Sequence, residues 1–223
     1  MNITKLELLT PDLQIQNDFY ANILELPVRF ASSILEVKAG QTELVFTQAP
    51  ADFGGAYHFA FNIPENQFHA AKTWMSERIP LLRDESGQDE FESKNWNSHS
   101  VYFKDAAGNV LEFIARHHLK NAVDRDFDGG QILNISEIGL PSENVIGFAN
   151  ELCTSLDLSV FRQGPNETFT PVGDDNGLFI LPIKNRIWIP NSGVPAKLLP
   201  VKVTGDTNGK EWEVHGIPYE ILS

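Results

Sequence analysis

The chain has 223 residues, of which 17 are basic and 30 acidic, for a formal net charge of −13. That surplus argues against unspecific binding to nucleic acid or to an anionic membrane, both of which need a basic face, and it suits a cationic ligand better than an anionic one. Hydrophobic residues at 42% provide for a real core. The length is near the upper end for one domain and comfortable for two. The single cysteine, Cys153, excludes an internal disulfide and any multi-cysteine metal site. No apolar stretch nears the ~20 residues needed to cross a bilayer, and no basic region with a following apolar run precedes the first strand pattern at Ile3. The expectation is a cytoplasmic protein whose partner is a small molecule, with no nucleic acid and no membrane, as a monomer or a homodimer.

Residues 3–10 alternate, Leu6 and Leu8 on one face, Lys5 and Glu7 on the other, which predicts a strand. Pro11-Asp12 then opens a helix to about Leu24, with Leu13, Phe19, Tyr20, Ile23 and Leu24 at helical spacing. Strands are expected at 28–37 and 42–48, and again at Tyr57–Ile63 after the break at Gly54-Gly55. Pro64-Glu65-Asn66 starts a second helix whose apolar stripe is Phe68, Ala71, Trp74 and Met75. Strands at 100–104 and 109–115 flank Asp105-Ala-Ala-Gly-Asn109, a tight-turn sequence because Asp, Gly and Asn tolerate left-handed backbone or bond their own main chain. The order strand, helix, several strands thus occurs twice.

The segment after it is polar and charged, ends in Gly129-Gly130, and reads as a linker over 117–130. Its adjacent histidines, His117 and His118, would point to opposite faces of a strand and are not natural co-ligands. Beyond it the pattern restarts. Leu24-Glu-Leu-Pro-Val28 recurs as Leu156-Asp-Leu-Ser-Val160, and Gly108-Asn-Val-Leu-Glu-Phe113 as Gly216-Ile-Pro-Tyr-Glu-Ile221. The second half is shorter: the helix expected after Ala196–Val203 is replaced by Thr204-Gly-Asp-Thr-Asn-Gly209, which is turn chemistry. Cys153 lies in an apolar helical pattern and reads as core.

Strand alternation selects a small set of polar side chains. On Tyr57–Ile63, Phe59, Phe61 and Ile63 point one way, and His58, Ala60 and Asn62 the other, a small and polar face suited to lining a cavity. On the strand after the Asp105 turn, Val110, Glu112 and Ile114 share a face. Glu43 lies opposite Leu44 and Phe46, and Lys5 opposite Leu6 and Leu8.

Three segments resemble the vicinal oxygen chelate superfamily, the group of glyoxalase I, fosfomycin- and bleomycin-resistance proteins and extradiol dioxygenases. They are Leu6-Glu-Leu-Leu-Thr-Pro-Asp-Leu with Phe19-Tyr-Ala-Asn-Ile-Leu24, Tyr57-His-Phe-Ala-Phe-Asn-Ile63, and Val101-Tyr-Phe-Lys-Asp-Ala-Ala-Gly-Asn-Val-Leu-Glu-Phe113. The resemblance implies an α+β fold of tandem βαβββ modules that curl into mixed sheets with a concave cup. Residues 1–116 would form one domain from two modules, and residues 131–223 a truncated, degenerate second one.

The resemblance also implies four metal-ligand places, on the first and last strands of each module. They fall on Lys5, Glu43, His58 and Glu112 in the first half. His58, Glu43 and Glu112 would hold a divalent ion such as Ni, Zn, Mn or Fe, with Glu112 or Glu43 as proton shuttle. In the second half Glu137 and Glu220 take two of the places and Leu198 falls where His58 would map, which reads as an eroded copy. Lys5 opposes the metal: at ~4 Å and an effective dielectric near 20, one unit charge on the ion would be repelled by roughly 4 kcal/mol. Two functions stay open on this reading. One is a glyoxalase- or dioxygenase-like enzyme acting on a small molecule with vicinal oxygens. The other is a metal-free binding or sequestering protein of the bleomycin-resistance type, its cup lined by Phe30, Phe46, Trp96 and Tyr102, with Lys5 against the acids. Asp174 and Asp175 read as solvated loop acids.

Overall fold

The computed structural model describes residues 1–31 and 33–223. Four repeats follow one another. The first is β1 (Asn2–Thr10), α1 (Leu13–Asp18) prolonged by a π-helical turn (Phe19–Ile23), β2 (Val28–Ala31), β3 (Ile34–Ala39) and β4 (Thr42–Gln48). The second is β5 (His58–Ile63), α2 (Phe68–Ser76), β6 (Phe91–Ser93), β7 (Ser98–Lys104) and β8 (Val110–Arg116). The third is β9 (Asn134–Gly139), α3 (Val145–Leu156), β10 (Phe169–Asp174) and β11 (Gly177–Pro182). The fourth keeps strands alone: β12 (Val201–Thr207), β13 (Lys210–Gly216) and β14 (Glu220–Leu222). The expected strand 28–37 is thus two, and position 32 within it lies outside the described residues.

The fourth repeat loses its helix for a local reason. Asn208 and Gly209 both take left-handed backbone, φ 52° and 77°, as a two-residue hairpin turn between antiparallel strands requires. The residues before that turn, Thr204–Thr207, were expected as loop. They continue β12, because alternate members are buried against the neighbouring strands.

The sheets do not pair repeats in chain order. One sheet runs β14-β13-β12-β1-β4-β3-β2 and joins the first repeat to the fourth. The other runs β10-β11-β9-β5-β8-β7-β6 and joins the second to the third. In each, the first strands of two repeats meet antiparallel at the centre, β1 with β12 and β5 with β9. The 117–130 segment therefore connects two repeats that share one sheet.

Both sheets turn an apolar face to one common core. Leu6, Leu8, Leu44 and Phe46 come from the first sheet, and Phe59, Phe61, Leu111 and Phe113 from the second. Phe68 and Met75 of α2 and Leu152 of α3 complete it. Each large side chain so buried contributes about 1.5–3 kcal/mol. The Asp105 turn ties two repeats together. Its carboxylate accepts from Gln16 Nε2 (2.8 Å), Tyr20 Oη (3.1 Å) and Asn109 Nδ2 (2.8 Å), and from the backbone amides of Ala107 and Asn109.

Candidate metal centre and ligand cavity

The geometry of the site begins with Ala60. It is fully buried on β5 and in register with Glu112 on β8 on one side and with Glu137 on β9 on the other. Neighbouring strands lie about 4.7–4.9 Å apart, so two carboxylate side chains rise on either side of a methyl group and can lean together above it. His58 is two residues away on the same strand face. One ligand-capable atom of each of His58, Glu112 and Glu137 lies within 4.8 Å of the others, and all three residues are buried.

The imidazole is fixed by its neighbour. His58 Nδ1 lies 2.9 Å from the Val110 carbonyl oxygen, which only accepts. Nδ1 therefore carries the proton and Nε2 presents its lone pair to the acids, 3.8 Å from Glu112 Oε2. Burial lowers the His58 pKa to about 4, so the ring is neutral, as a ligand must be. Burial, and next the charge of Glu137, push the Glu112 pKa up to about 8. Hydrogen bonds from Ser100 and Tyr102 and the charge of Arg116 act in the opposite sense. Burial likewise raises Glu137, against the pull of Arg116.

Arg116 is a fully buried cation on the same face of β8. Its Nη2 bonds Glu137 Oε1 and its Nε bonds Asn62 Oδ1 at 3.1 Å. Its Nη1 is 3.9 Å from Asp175 Oδ1, and its guanidinium faces the rings of Trp96 and Phe161. One oxygen of Glu137 is thus held, and the other is free to meet an ion.

The three groups open into a cavity of about 260 Å³ walled by Phe91, Trp96, Tyr102, Phe169 and Trp188. Trp188 reaches it because the chain doubles back over residues 185–196, with Asn185 N bonding Ala196 O and Trp188 N bonding Val194 O. Its ring centroid is 4.7 Å from that of His58. Gly139 makes room for it: a Cβ there would sit 2.5 Å from the indole.

Of the residues expected from sequence, His58 and Glu112 meet, and Trp96 and Tyr102 line their cavity. Glu43 stands apart on the first sheet, half-exposed, with its Oε1 3.9 Å from Lys5 Nζ. Register explains this. Lys5 pairs with Glu43 as His58 pairs with Val110, so the counterpart of Glu112 in the first repeat is Val45. Lys5 itself bridges Glu43 and Glu7 (3.5 Å) on that other sheet, so its charge does not oppose an ion at His58. Phe46 is in the core against Tyr20, because it shares the helix-facing side of β4 with Leu44, and Phe30 is exposed on β2. Asp175 is no solvated loop acid, since it pairs with Arg162. His117 and His118 diverge, the first to His99 (2.8 Å) and the second to Arg162 (3.0 Å).

The sequence assigns neither Glu137 and Arg116 nor the cavity walls Phe91, Phe169 and Trp188 to this site. Glu137 was visible but assigned to an eroded half. Arg116 continues the alternation Val110, Glu112, Ile114, but it stands directly before the charged linker and nothing in its own residue type marks it as buried. The donor set of one neutral imidazole and two carboxylates fits a hard-to-borderline divalent ion, with a coordination position left for water or substrate.

No protein-family model matches the chain, and no curated protein does. Among solved structures, a Bacillus subtilis chain named only provisionally as a dioxygenase superposes with a TM-score of 0.62 at 14% identity, over 96% of this chain and 81% of that one. A lactoylglutathione lyase from Agrobacterium tumefaciens (23% identity, TM-score 0.42) covers 50% of this chain and 91% of its own. The fosfomycin resistance protein FosX of Listeria monocytogenes, in complex with Mn(II), covers 52% of this chain and 90% of its own at 16% identity and TM-score 0.41. The fold is that of the vicinal oxygen chelate proteins, as the sequence resemblance implied.

Proposed function

We propose that the chain is a metal-dependent enzyme acting on a small molecule in the cup of the second sheet, with His58, Glu112 and Glu137 holding a divalent ion. The observation that carries this reading is the meeting of three buried ligand-capable groups, one a neutral imidazole with its lone pair facing two acids, at the floor of an aromatic cavity. When bound, the ion would supply Lewis-acid polarisation of substrate oxygens.

The chain's own residues do the rest. The Val110 carbonyl holds the His58 tautomer. Arg116 holds Glu137 by one oxygen. Glu112 has a proton affinity near neutrality and a hydrogen-bonded neighbour in Tyr102, which suits it to take a proton from a substrate carbon or oxygen and return it. Trp188, Trp96 and Phe91 exclude water from that exchange.

A second reading is a metal-free binding protein, and one observation favours it: Arg116 already neutralises Glu137. Thermal shift separates the two. Under the first reading, Mn, Fe, Ni or Zn raises the melting temperature of chelator-treated wild type and leaves His58→Ala unmoved. Wild type indifferent to all four ions would sink it.

A further inference from the structure

Among the described residues Arg186 is the one arginine in the cavity lining. The other arginines near it are matched by acids, Arg116 by Glu137 and Arg162 by Asp175. Arg186 is half-buried, and among the described residues no carboxylate lies within ion-pair distance of it. Glu92, exposed on β6 between half-buried Phe91 and Ser93, also lines the cavity but does not pair with it. Among the described residues the guanidinium of Arg186 makes one hydrogen bond, a long one, from Nη1 to Thr168 O at 3.4 Å. Its plane is seated on Phe169, with Cζ 4.7 Å from the ring centroid. An aromatic seat of this kind orients a guanidinium and leaves its forked N–H edge free.

Arg186 and His58 line one cavity of about 260 Å³. A ligand reaching from His58 to Arg186 within it is therefore a small molecule, with a ring or a short chain between Trp96, Phe91 and Phe169.

Resting on the reading of this cup as a small-molecule site, we propose that Arg186 receives an oxyanion head group, carboxylate or phosphoryl, of a small acid whose body fills the aromatic cavity and whose far oxygens lie over His58, Glu112 and Glu137. An unmatched, oriented guanidinium is suited to bidentate pairing with such a group. Burial lowers the pKa of Arg186 while no counter-charge restores it, which is the condition an incoming anion relieves. The assignment reverses the cationic ligand suggested by the net charge, because the cavity and not the whole surface selects the ligand.

The test uses matched pairs titrated by calorimetry into the full-length protein, with and without Mn(II): benzoate against benzamide, mandelate against mandelamide, and phenyl phosphate and phenylphosphonate as the phosphoryl arm. At least one anion should bind, its neutral partner about tenfold or more weaker. Arg186→Met should abolish that difference, and Arg186→Lys should keep part of it. No anion binding to wild type, or a preference for the anion that survives in Arg186→Met, overturns the proposal. Failure of the metal reading looks different: binding would then be the same with and without Mn(II), and the Arg186 effect would remain.

Discussion

Arg116→Met tests the buried ion pair beneath the cavity. The guanidinium is wholly inaccessible, and Glu137 is 3% exposed at its side chain. Removing the cation leaves Glu137 in a low-dielectric site beside Glu112 and leaves Asn62 Oδ1 without its donor. Breaking a buried pair by deleting one partner costs about 3–5 kcal/mol. For a chain of this size, 1 kcal/mol moves the melting temperature by about 2–4 °C, so Arg116→Met should melt roughly 6–20 °C below wild type. The measurement is thermal denaturation followed by circular dichroism in the presence of chelator. The double variant Arg116→Met/Glu137→Leu removes the orphaned acid together with its partner and should regain most of the loss, because an apolar pair of similar volume often replaces a buried ion pair without penalty. A single variant within about 2 °C of wild type, or a double variant as unstable as the single one, would mean that Glu137 does not depend on the Arg116 charge. If the single variant does not fold at all, recovery in the double variant remains the deciding observation.

Stability of the metal-free protein should depend on pH in a defined way. Glu112, raised from its ordinary value to about 8, keeps a proton in the folded state that the unfolded chain gives up near 4.5. Its contribution is complete below pH 4.5 and is lost as pH rises toward 8. His58, lowered to about 4, contributes the reverse, present above its ordinary value of 6.5 and lost as pH falls toward 4. The two cancel between about pH 4.5 and 6.5. Above that, stability should fall by up to about 1.4 kcal/mol per pH unit, and Glu112→Gln should remove part of the fall. A Glu112→Gln profile parallel to wild type between pH 6.5 and 8 in urea titrations would contradict this. Asp105→Ala strands five donors, three of them side chains, and should cost about 3 kcal/mol or more by urea denaturation; a loss below about 1 kcal/mol would mean that the turn is not the tie between repeats. Gly139→Ala should displace Trp188 from His58, shifting tryptophan emission to the red while far-ultraviolet dichroism stays native; an unmoved spectrum would show that the indole is not seated there.

Much of the architecture was legible because it is local. Period-2 alternation found β1, β5, β7 and β8, and the Asp105 turn followed from its residue types. The same alternation put His58 and Glu112 on cavity-lining faces. The pairing of repeats was not legible, since it rests on β5 meeting β9 and β1 meeting β12 across long stretches of chain. No propensity encodes that choice, and it alone decides that the partner of His58 and Glu112 is Glu137 and not Glu43. Glu43 also shows how a slip of two residues misleads: it keeps the side chain on the expected face but moves it one pleat along the strand, so Val45 and not Glu43 answers to Glu112. Arg116 was hidden by composition, because a basic residue at the head of a charged run looks solvated until its strand partners are known.

Metal content by mass spectrometry, on protein purified without chelator and then loaded with Mn, Fe, Ni or Zn, decides whether His58, Glu112 and Glu137 hold an ion together. Wild type and Glu43→Ala should each retain about one equivalent of one of these ions, whereas His58→Ala, Glu112→Ala and Glu137→Ala should each fall below about a tenth. Wild type without metal, or loss of metal in Glu43→Ala with retention in Glu137→Ala, would contradict the account.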